Sequence, residues 1–435
     1  MSWKERLRRG FAFALALLMT AVVLQALPYR AEAAGPGAGD DGVLRIVALG
    51  DSLAAGYEQG LEKQPNPVPY GFVERVWEQA LFRGYRAEFV NYGILGLKSE
   101  GLEKLLARVE RGEGSGEREL LAEGQESLID PRIADLVGDG GAVRANIAKA
   151  DLILIQIGAN DLSAYVALLA SGETGEKADA FFRDLLDRLA ASLEASIRTV
   201  HRINPDAVIV VGDQYSPVPE KILNQPVDYY GTLQDAVRTV TGKLGELSAR
   251  FAEEGWDVRV AYSARRFIGH EPAMTTIVSL QGSDMHPTQS GYDAMGRAFT
   301  EAIWGDGYVT PSPRDPDVPI TVFINGEELK PANAKPKLVN NYTYLVLRDI
   351  AAALGAERDL KWDGGTKSAT FTLNGRTVVL TVDSNVMTVN GEPREIPAAP
   401  FVESGRTYVP LGALSDALGF DVVYRNTLKT AFING

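Results

Sequence analysis

A run of strand-forming residues that ends abruptly in glycine, aspartate and serine occurs at Val43-Leu44-Arg45-Ile46-Val47-Ala48-Leu49-Gly50-Asp51-Ser52-Leu53. Its apolar part, Val43–Leu49, is typical of a buried strand. Ser52 would then lie at the carboxyl end of that strand, which is where open α/β sheets bind their ligands. The run therefore predicts both a central strand and one residue of a functional site.

The same pattern of apolar runs recurs downstream. Four further strands are predicted at Ala87–Asn91, Asp151–Ile157, Ala207–Gly212 and Trp256–Tyr262. Between them, helical spacing predicts the core face of a crossover helix at Phe182, Leu185, Leu189, Leu193, Ile197 and Val200. Alternating strands and helices predict an α/β fold, a doubly wound (flavodoxin-like) parallel sheet of about five strands with helices on both faces. We expect the Gly- and acid-rich segment Glu110–Glu126 to be a mobile insertion outside the core.

A proline-rich stretch, Thr310–Pro319, is typical of a stiff linker and separates a domain at residues 43–309 from another at 320–435. The second domain contains an internal repeat, since Thr343–Gly355 resembles Thr407–Gly419. Asn-Gly pairs predict hairpin turns at 325–326, 374–375, 390–391 and 434–435. These features predict a smaller, duplicated α+β domain.

The N-terminus resembles a signal peptide. Lys4, Arg6, Arg8 and Arg9 form a basic head, Gly10–Leu27 is apolar, and Ala31-Glu32-Ala33 supplies a small-x-small cleavage site. We therefore predict a signal peptide at residues 1–33, a short linker at 34–42 and a secreted or cell-wall-associated protein. A retained anchor is the alternative. No other stretch is long enough to predict a transmembrane span in the mature chain.

Charge and composition exclude several classes of partner. A net charge of −13 disfavours nucleic acid and anionic membrane surfaces, because both require clustered cations. The chain has no cysteine, so disulfides and thiolate metal sites are excluded. With only His201, His270 and His286 present, a multi-histidine metal site is also disfavoured, and we expect no metal and no cofactor.

Four separated motifs each follow a predicted strand or precede the last helix, so they can meet at one edge of the sheet. They are Gly50-Asp51-Ser52-Leu53, Asn91-Tyr92-Gly93-Ile94-Leu95-Gly96, Gly158-Ala159-Asn160-Asp161 and Asp284-Met285-His286-Pro287. Together they offer a nucleophile, a base and hydrogen-bond donors for an oxyanion, the set that acyl transfer requires. Their combination and order resemble the SGNH (GDSL) hydrolase family over Val43–Tyr308.

That resemblance implies a serine ester hydrolase with Ser52 as nucleophile and His286 as base. It assigns the oxyanion hole to the N–H groups of Ser52 and Gly93 and to the side-chain amide of Asn160. The implied substrates are short acyl groups on carbohydrate or wall polymers, or lipid esters. An O-acyltransferase acting on a sugar, and a non-catalytic scaffold with a vestigial hydrolase domain, remain alternatives.

One position departs from the family pattern. The family places the acid of the triad three residues before the histidine, and that position is Ser283 here. Either Asp284 reaches the imidazole through a shifted loop, or a backbone carbonyl orients a Ser–His dyad, or the domain is inactive. We favour Asp284, because a carboxylate fixes the tautomer and stabilises the imidazolium. Asp51 and Asp161 are expected to fix loops, and His201 and His270 to lie on the surface.

The second domain resembles the copper amine oxidase N-terminal-like domain through its duplicated units and Asn-Gly pairs. The resemblance implies a stalk or interaction module, with contact to the cell wall or a partner through residues 320–435. This region has no histidine and no cysteine, so the family name implies no copper here.

Overall fold

The structure is a computed structural model that describes residues 35–64, 67–220, 229–278, 284–305, 307–330, 335–340 and 342–435. The signal peptide predicted at residues 1–33 and the substituted position Ser283 lie outside the described residues.

Five parallel strands form the central sheet of the first domain. They are β1 (Val43–Gly50), β2 (Arg86–Gly93), β3 (Leu152–Gln156), β4 (Val208–Gly212) and β5 (Val258–Ala261). Their order, β2-β1-β3-β4-β5, is that of a flavodoxin-like doubly wound sheet. The predicted fold class is therefore confirmed, and every observed strand lies within two residues of its predicted bounds.

Helices cover both faces of this sheet. They are α1 (Phe72–Phe82), α2 (Ser99–Glu110), α3 (Glu117–Leu120), α4 (Ile133–Val137), α5 (Gly140–Lys149), α6 (Ala159–Ala170), α7 (Glu176–Ile203), α8 (Tyr229–Glu253), α9 (Ala264–Phe267), α10 (Glu271–Met274) and α11 (Gln289–Trp304). A short 3₁₀ helix spans Leu61–Lys63. The core on one face includes α2, α5, α7 and α8, and the core on the other includes α1 and α11. The predicted apolar stripe of α7 is buried throughout, as expected for a crossover helix.

The segment Glu110–Glu126 is not excluded from the core, and that expectation is wrong. Leu120 is fully buried in the main core, and the N–H of Ser115 donates to the carbonyl of Val137 at 2.9 Å. The composition is misleading because the glycines serve close packing: a Cβ on Gly114 would lie 1.9 Å from the carbonyl oxygen of Gly138.

The second domain is rich in short strands. They are β6 (Thr321–Ile324), β7 (Glu327–Glu328), β8 (Lys337–Val339), β9 (Tyr342–Val346), β10 (Lys361–Asp363), β11 (Ser368–Leu373), β12 (Arg376–Thr381), β13 (Val386–Val389), β14 (Glu392–Glu395), β15 (Phe401–Glu403), β16 (Arg406–Pro410), β17 (Asp421–Arg425) and β18 (Thr430–Asn434). Its helices are α12 (Leu347–Ala353) and α13 (Leu411–Leu418), with a 3₁₀ turn at Glu357–Asp359. Each repeat is a strand that runs directly into a helix, and the two repeat strands, β9 and β16, pair antiparallel in one shared core.

Three of the four Asn-Gly pairs form the predicted hairpin turns. At 325–326, 374–375 and 390–391 both residues have positive φ, as two-residue type I′ turns require. The prediction is wrong at 434–435. Asn434 ends β18 and is 1% exposed, and its side chain donates to the carbonyls of Leu81 and Tyr85 in the first domain.

The two domains share a buried contact. Leu81 and Phe82 of α1 pack with Phe323 and Phe432 of the second domain, and the ring of Phe82 meets each of those two rings edge-on at 4.8 Å. The linker 310–319 contains neither helix nor strand. The second domain is therefore packed against the carboxyl-terminal end of α1 and is also joined to the first domain by the linker.

Candidate active site

Ser52 lies in the turn that follows β1. Gly50 makes this turn possible, because its φ is +142° and a Cβ there would lie 1.9 Å from the carbonyl oxygen of Gln156. The N–H of Asp51 donates to that carbonyl at 3.0 Å, and the N–H of Leu53 donates to Asp51 Oδ1 at 2.9 Å. These bonds fix the backbone on both sides of Ser52, which is 6% exposed.

His286 lies between Ser52 and Asp284. Its Nε2 is 2.7 Å from Ser52 Oγ, and its Nδ1 is 2.6 Å from Asp284 Oδ1. The structure thus brings together the three predicted catalytic side chains in one hydrogen-bonded line. Burial is the largest single influence on Asp284 and acts to raise its pKa. The hydrogen bond and the charge of His286, together with the backbone N–H groups of His286 and Met285, outweigh burial, so the pKa of Asp284 lies below its ordinary value. Of the three accounts for the departure at Ser283, this geometry favours the one with Asp284.

Other residues hold the loop that carries His286. The hydroxyl of Tyr215 donates to the carbonyl of Met285 at 2.8 Å, and the N–H of Thr276 donates to the carbonyl of His286 at 3.0 Å. No sequence motif had indicated Tyr215 or Thr276. Tyr215 could have been found, because it follows the end of β4 as the other site motifs follow theirs. Thr276 has no comparable signal.

Asn160 lies in the first turn of α6. Gly158, the residue that precedes this helix, has a φ of +119°, which lets the chain turn from β3 into α6. One hydrogen of its side-chain amide goes to the carbonyl of Leu97 at 2.9 Å, which leaves the second for another acceptor. Within the described residues, the N–H of Ser52 donates to no acceptor. Both groups therefore remain candidates for binding an oxyanion.

Gly93, a predicted donor of the oxyanion hole, has another acceptor for its N–H in the structure. This N–H is donated to Asn91 Oδ1 at 2.9 Å, so the predicted oxyanion bond from Gly93 would require that bond to break. The glycine is needed for packing instead, because a Cβ would lie 2.3 Å from the backbone nitrogen of Ala55. The same motif ends at Gly96, whose φ is +84° and whose N–H donates to no acceptor among the described residues. Because the next residue, Leu97, accepts the amide of Asn160, Gly96 is the better candidate.

Asp130 and Arg132 hold this glycine-rich turn in place. Asp130 Oδ2 accepts the N–H of Leu95 at 2.9 Å, and Arg132 bonds both Asp130 and the carbonyl of Gly93. Burial acts to raise the pKa of Asp130, yet the bonds from Arg132 and Leu95 outweigh it and lower the pKa. No motif in the sequence links this acid to the turn 35 residues before it.

The two acids that were expected to fix loops, Asp161 and Asp51, both accept a backbone N–H. Asp161 accepts both the N–H and the hydroxyl of Ser99, at 3.0 and 2.6 Å. Asp51 is fully buried, and only one of its oxygens has a partner among the described residues. Burial raises the pKa of Asp51 to about 7. Of the other two histidines, His270 is exposed, while His201 is partly buried and stacks on Trp256.

A cavity of about 330 Å³ opens beside Ser52 and His286. Its walls carry apolar side chains, among them Leu53, Leu162, Val166, Pro217 and Met285. Among the residues that the structure describes, no three His, Asp or Glu side chains converge as a metal site requires. Within the same residues, no helix has the length and apolar character needed to cross a membrane.

Comparison with known families agrees with these motifs. Residues 46–299, more than half of the chain, match the family described as GDSL-like lipase/acylhydrolase, and the chain belongs to that family. Residues 323–433 match the copper amine oxidase N-terminal domain. No curated protein matches the chain.

Several solved structures are similar to about three fifths of the chain. The lipase Lip_vut3 from a goat rumen metagenome is 18% identical, with 60% of this chain and 98% of that one covered and a TM-score of 0.40. A Clostridium thermocellum family 3 carbohydrate esterase is 14% identical, covers 60% and 94%, and has a TM-score of 0.34. Phospholipase A1 from Streptomyces albidoflavus NA297 is 16% identical, covers 59% and 98%, and has a TM-score of 0.37. Family membership rests on the match to residues 46–299.

Proposed function

We propose that this protein is an exported serine esterase that hydrolyses oxygen esters through an acyl-Ser52 intermediate. The observation that carries the proposal is the line of hydrogen bonds from Asp284 through His286 to Ser52, at 2.6 and 2.7 Å. A serine hydroxyl is a weak nucleophile until a base takes its proton, and His286 Nε2 is within reach of that proton.

In the first half of the reaction, Ser52 Oγ attacks the ester carbonyl carbon as its proton moves to His286 Nε2. Asp284 stabilises the imidazolium that forms. The candidate donors for the oxyanion are the N–H groups of Ser52 and Gly96 and the free amide hydrogen of Asn160. The intermediate then collapses: the bond to the alcohol oxygen breaks, and that oxygen takes the proton from His286.

In the second half, a water molecule attacks the acyl-Ser52 ester while His286 takes one of its protons. Collapse of this second intermediate releases the carboxylic acid, and Ser52 Oγ recovers its proton from His286. The cycle is balanced with one ester and one water consumed, and it uses only residues of this chain.

The apolar walls of the cavity suit the acyl part of the substrate, because apolar surface is best buried against apolar side chains. Short acyl groups on carbohydrate or wall polymers, or lipid esters, are the proposed substrates. Export through the signal peptide at residues 1–33, and contact of residues 320–435 with the cell wall or a partner, complete the proposal.

The deciding experiment measures hydrolysis of short- and long-chain p-nitrophenyl esters by residues 34–435. We expect Ser52→Ala to reduce kcat to background, a loss on the order of a millionfold in a comparable triad. Ser171→Ala, at the far end of the same domain's α6, is the matched control and should leave turnover unchanged. The preferred chain length then reports the size of the acyl cavity.

A serine-directed phosphonate probe tests the same site without a substrate. Failure of Ser52 to react in folded protein would rule out the esterase and favour the scaffold alternative. Transfer of the acyl group to an added sugar, in place of hydrolysis, would favour the acyltransferase alternative, because both classes share the acyl-enzyme.

A further inference from the structure

A buried carboxylate in α1 forms an ion pair with the second domain. Glu78 is 2% exposed, and its Oε1 accepts Nε–H of Arg425, the last residue of β17, at 2.7 Å. The guanidinium also lies over the ring of Trp77, at 4.9 Å. Burial raises the pKa of Glu78, and the contacts with Arg425 oppose that effect. Arg425 is therefore the cation that hydrogen-bonds this buried carboxylate and opposes the rise in its pKa.

The other oxygen of Glu78 holds a loop of the active site. Glu78 Oε2 accepts the hydroxyl of Tyr70 at 2.8 Å, and Arg75 lies 4.0 Å above the ring of that tyrosine. Tyr70 is near the end of the loop that joins the Ser52 turn to α1. The two ends of this loop touch, because a Cβ on Gly71 would lie 2.6 Å from the Cα of Gly56. Fixing Tyr70 therefore fixes the end of the loop nearest the site.

The beginning of the same loop packs against the catalytic histidine. The ring of Tyr57 meets the imidazole of His286 edge-on, with centroids 4.6 Å apart. The N–H of Tyr57 donates to the carbonyl of Ser52 at 3.0 Å, and its carbonyl accepts the hydroxyl of Tyr292. Tyr57 thus contacts both members of the Ser52–His286 pair.

A second set of bonds joins Tyr70 to the helix that follows His286. The carbonyl of Tyr70 accepts Nη1–H of Arg75 at 2.7 Å, and Arg75 Nη2 donates to Gln289 Oε1 at 2.9 Å. Gln289 is the first residue of α11, three positions after His286, and its amide also donates to Glu58 Oε2 at 2.8 Å. Tyr70 is therefore linked through Arg75 to Gln289 at the start of α11, and Gln289 in turn bonds Glu58, the neighbour of Tyr57.

We propose that Arg425 is a positioning residue for the reaction of the first domain. By neutralising and orienting Glu78, it holds Tyr70 and the loop that places Tyr57 on His286, so the second domain is a structural part of the active site. This inference rests on the proposed esterase function. Without Arg425, Glu78 would be a buried carboxylate with no hydrogen-bonded cation, which either takes up a proton or draws in water. Either change alters its bond to Tyr70.

The test compares full-chain variants with a control from the same interface. Arg425→Met removes the charge and keeps the aliphatic stem. Asp421→Asn removes a second ion pair between the domains, Arg86–Asp421, whose side chains are 32% and 51% exposed. The readouts are kcat and KM on a p-nitrophenyl ester and the rate of phosphonate labelling of Ser52, all well below the unfolding temperature.

We expect Arg425→Met to lower kcat and the labelling rate by about ten- to a hundredfold, the range that a small displacement of a catalytic group produces. KM should change little, and Asp421→Asn should stay within about twofold of the wild type. The double variant Glu78→Gln/Arg425→Met should recover most of the activity, because a neutral amide needs no cation and still accepts a hydrogen bond from Tyr70.

Two results would overturn the proposal while leaving the esterase function intact. One is an Arg425→Met variant with wild-type kcat, and the other is an equal loss in Arg425→Met and Asp421→Asn. Inactivity of the wild type, with Ser52 unlabelled, would instead contradict the esterase function itself.

Discussion

Asp284 touches the imidazole on the side away from Ser52, the position from which a carboxylate selects the tautomer of a catalytic histidine. We expect Asp284→Asn to lower kcat about ten-thousand-fold, because an amide at this position favours the wrong tautomer and cannot stabilise the imidazolium. Turnover of a p-nitrophenyl ester near neutral pH measures the effect. A loss of less than about threefold in Asp284→Ala would show that a backbone carbonyl orients His286 instead.

The raised pKa of Asp51 leads to a second prediction, on how stability depends on pH. Its folded-state pKa of about 7 lies above the ordinary value of 3.8, so the folded protein holds a proton that the unfolded chain has already lost at pH 5. The stability from this group is therefore fully present below pH 3.8 and is lost as the pH rises through 7. Between pH 5 and 7 the loss is about 2 to 3 kcal/mol.

Asp51→Asn removes this dependence, because the amide cannot ionise and its oxygen still accepts the N–H of Leu53. Urea unfolding of both proteins at pH 5, 6, 7 and 8 measures the difference. The free energy of unfolding of the wild type should fall relative to that of the variant as the pH rises to 7. Parallel curves would show that Asp51 titrates near its ordinary pKa.

At the scale of elements, the local sequence pattern was sufficient to predict the structure wherever an element depends on neighbouring residues alone. The five strands of the sheet, the stripe of α7 and three Asn-Gly turns are of this kind, since their periodicity and turn chemistry are read from adjacent residues. The motifs of Ser52 and Asn160 were expected to meet for a related reason. The carboxyl ends of parallel strands lie at one edge of the sheet, so motifs that follow the strands must meet there.

The errors arose where the partner of a residue is distant in sequence. At Gly93, the requirement for glycine comes from the backbone at Ala55, 38 residues earlier in the chain. Asn434 was predicted to form a turn, but it bonds carbonyls about 350 residues earlier in the chain. Long-range contacts of this type leave no periodic signal in one sequence.

At the scale of the whole molecule, a buried aromatic contact joins the two domains. Phe432 is fully buried, and its ring lies 4.8 Å from that of Phe82 in the first domain and 5.9 Å from that of Phe323. The buried Glu78–Arg425 pair adds a polar contact beside it. An interface that contains buried aromatic rings and a buried ion pair should couple the unfolding of the two domains.

We therefore expect residues 34–435 to unfold in a single calorimetric transition, with ester hydrolysis lost over the same temperature range. Phe432→Ala should lower the free energy of unfolding by about 3–5 kcal/mol, through lost burial and the cavity left at the interface. The thermal loss of hydrolysis should then shift to lower temperature, although the substitution is in the second domain. Tyr424→Ala, at a side chain 49% exposed in β17, is the control and should change neither. Two transitions in the wild type, with only one lowered by Phe432→Ala and hydrolysis unshifted, would show that the domains are independent and joined by the linker alone.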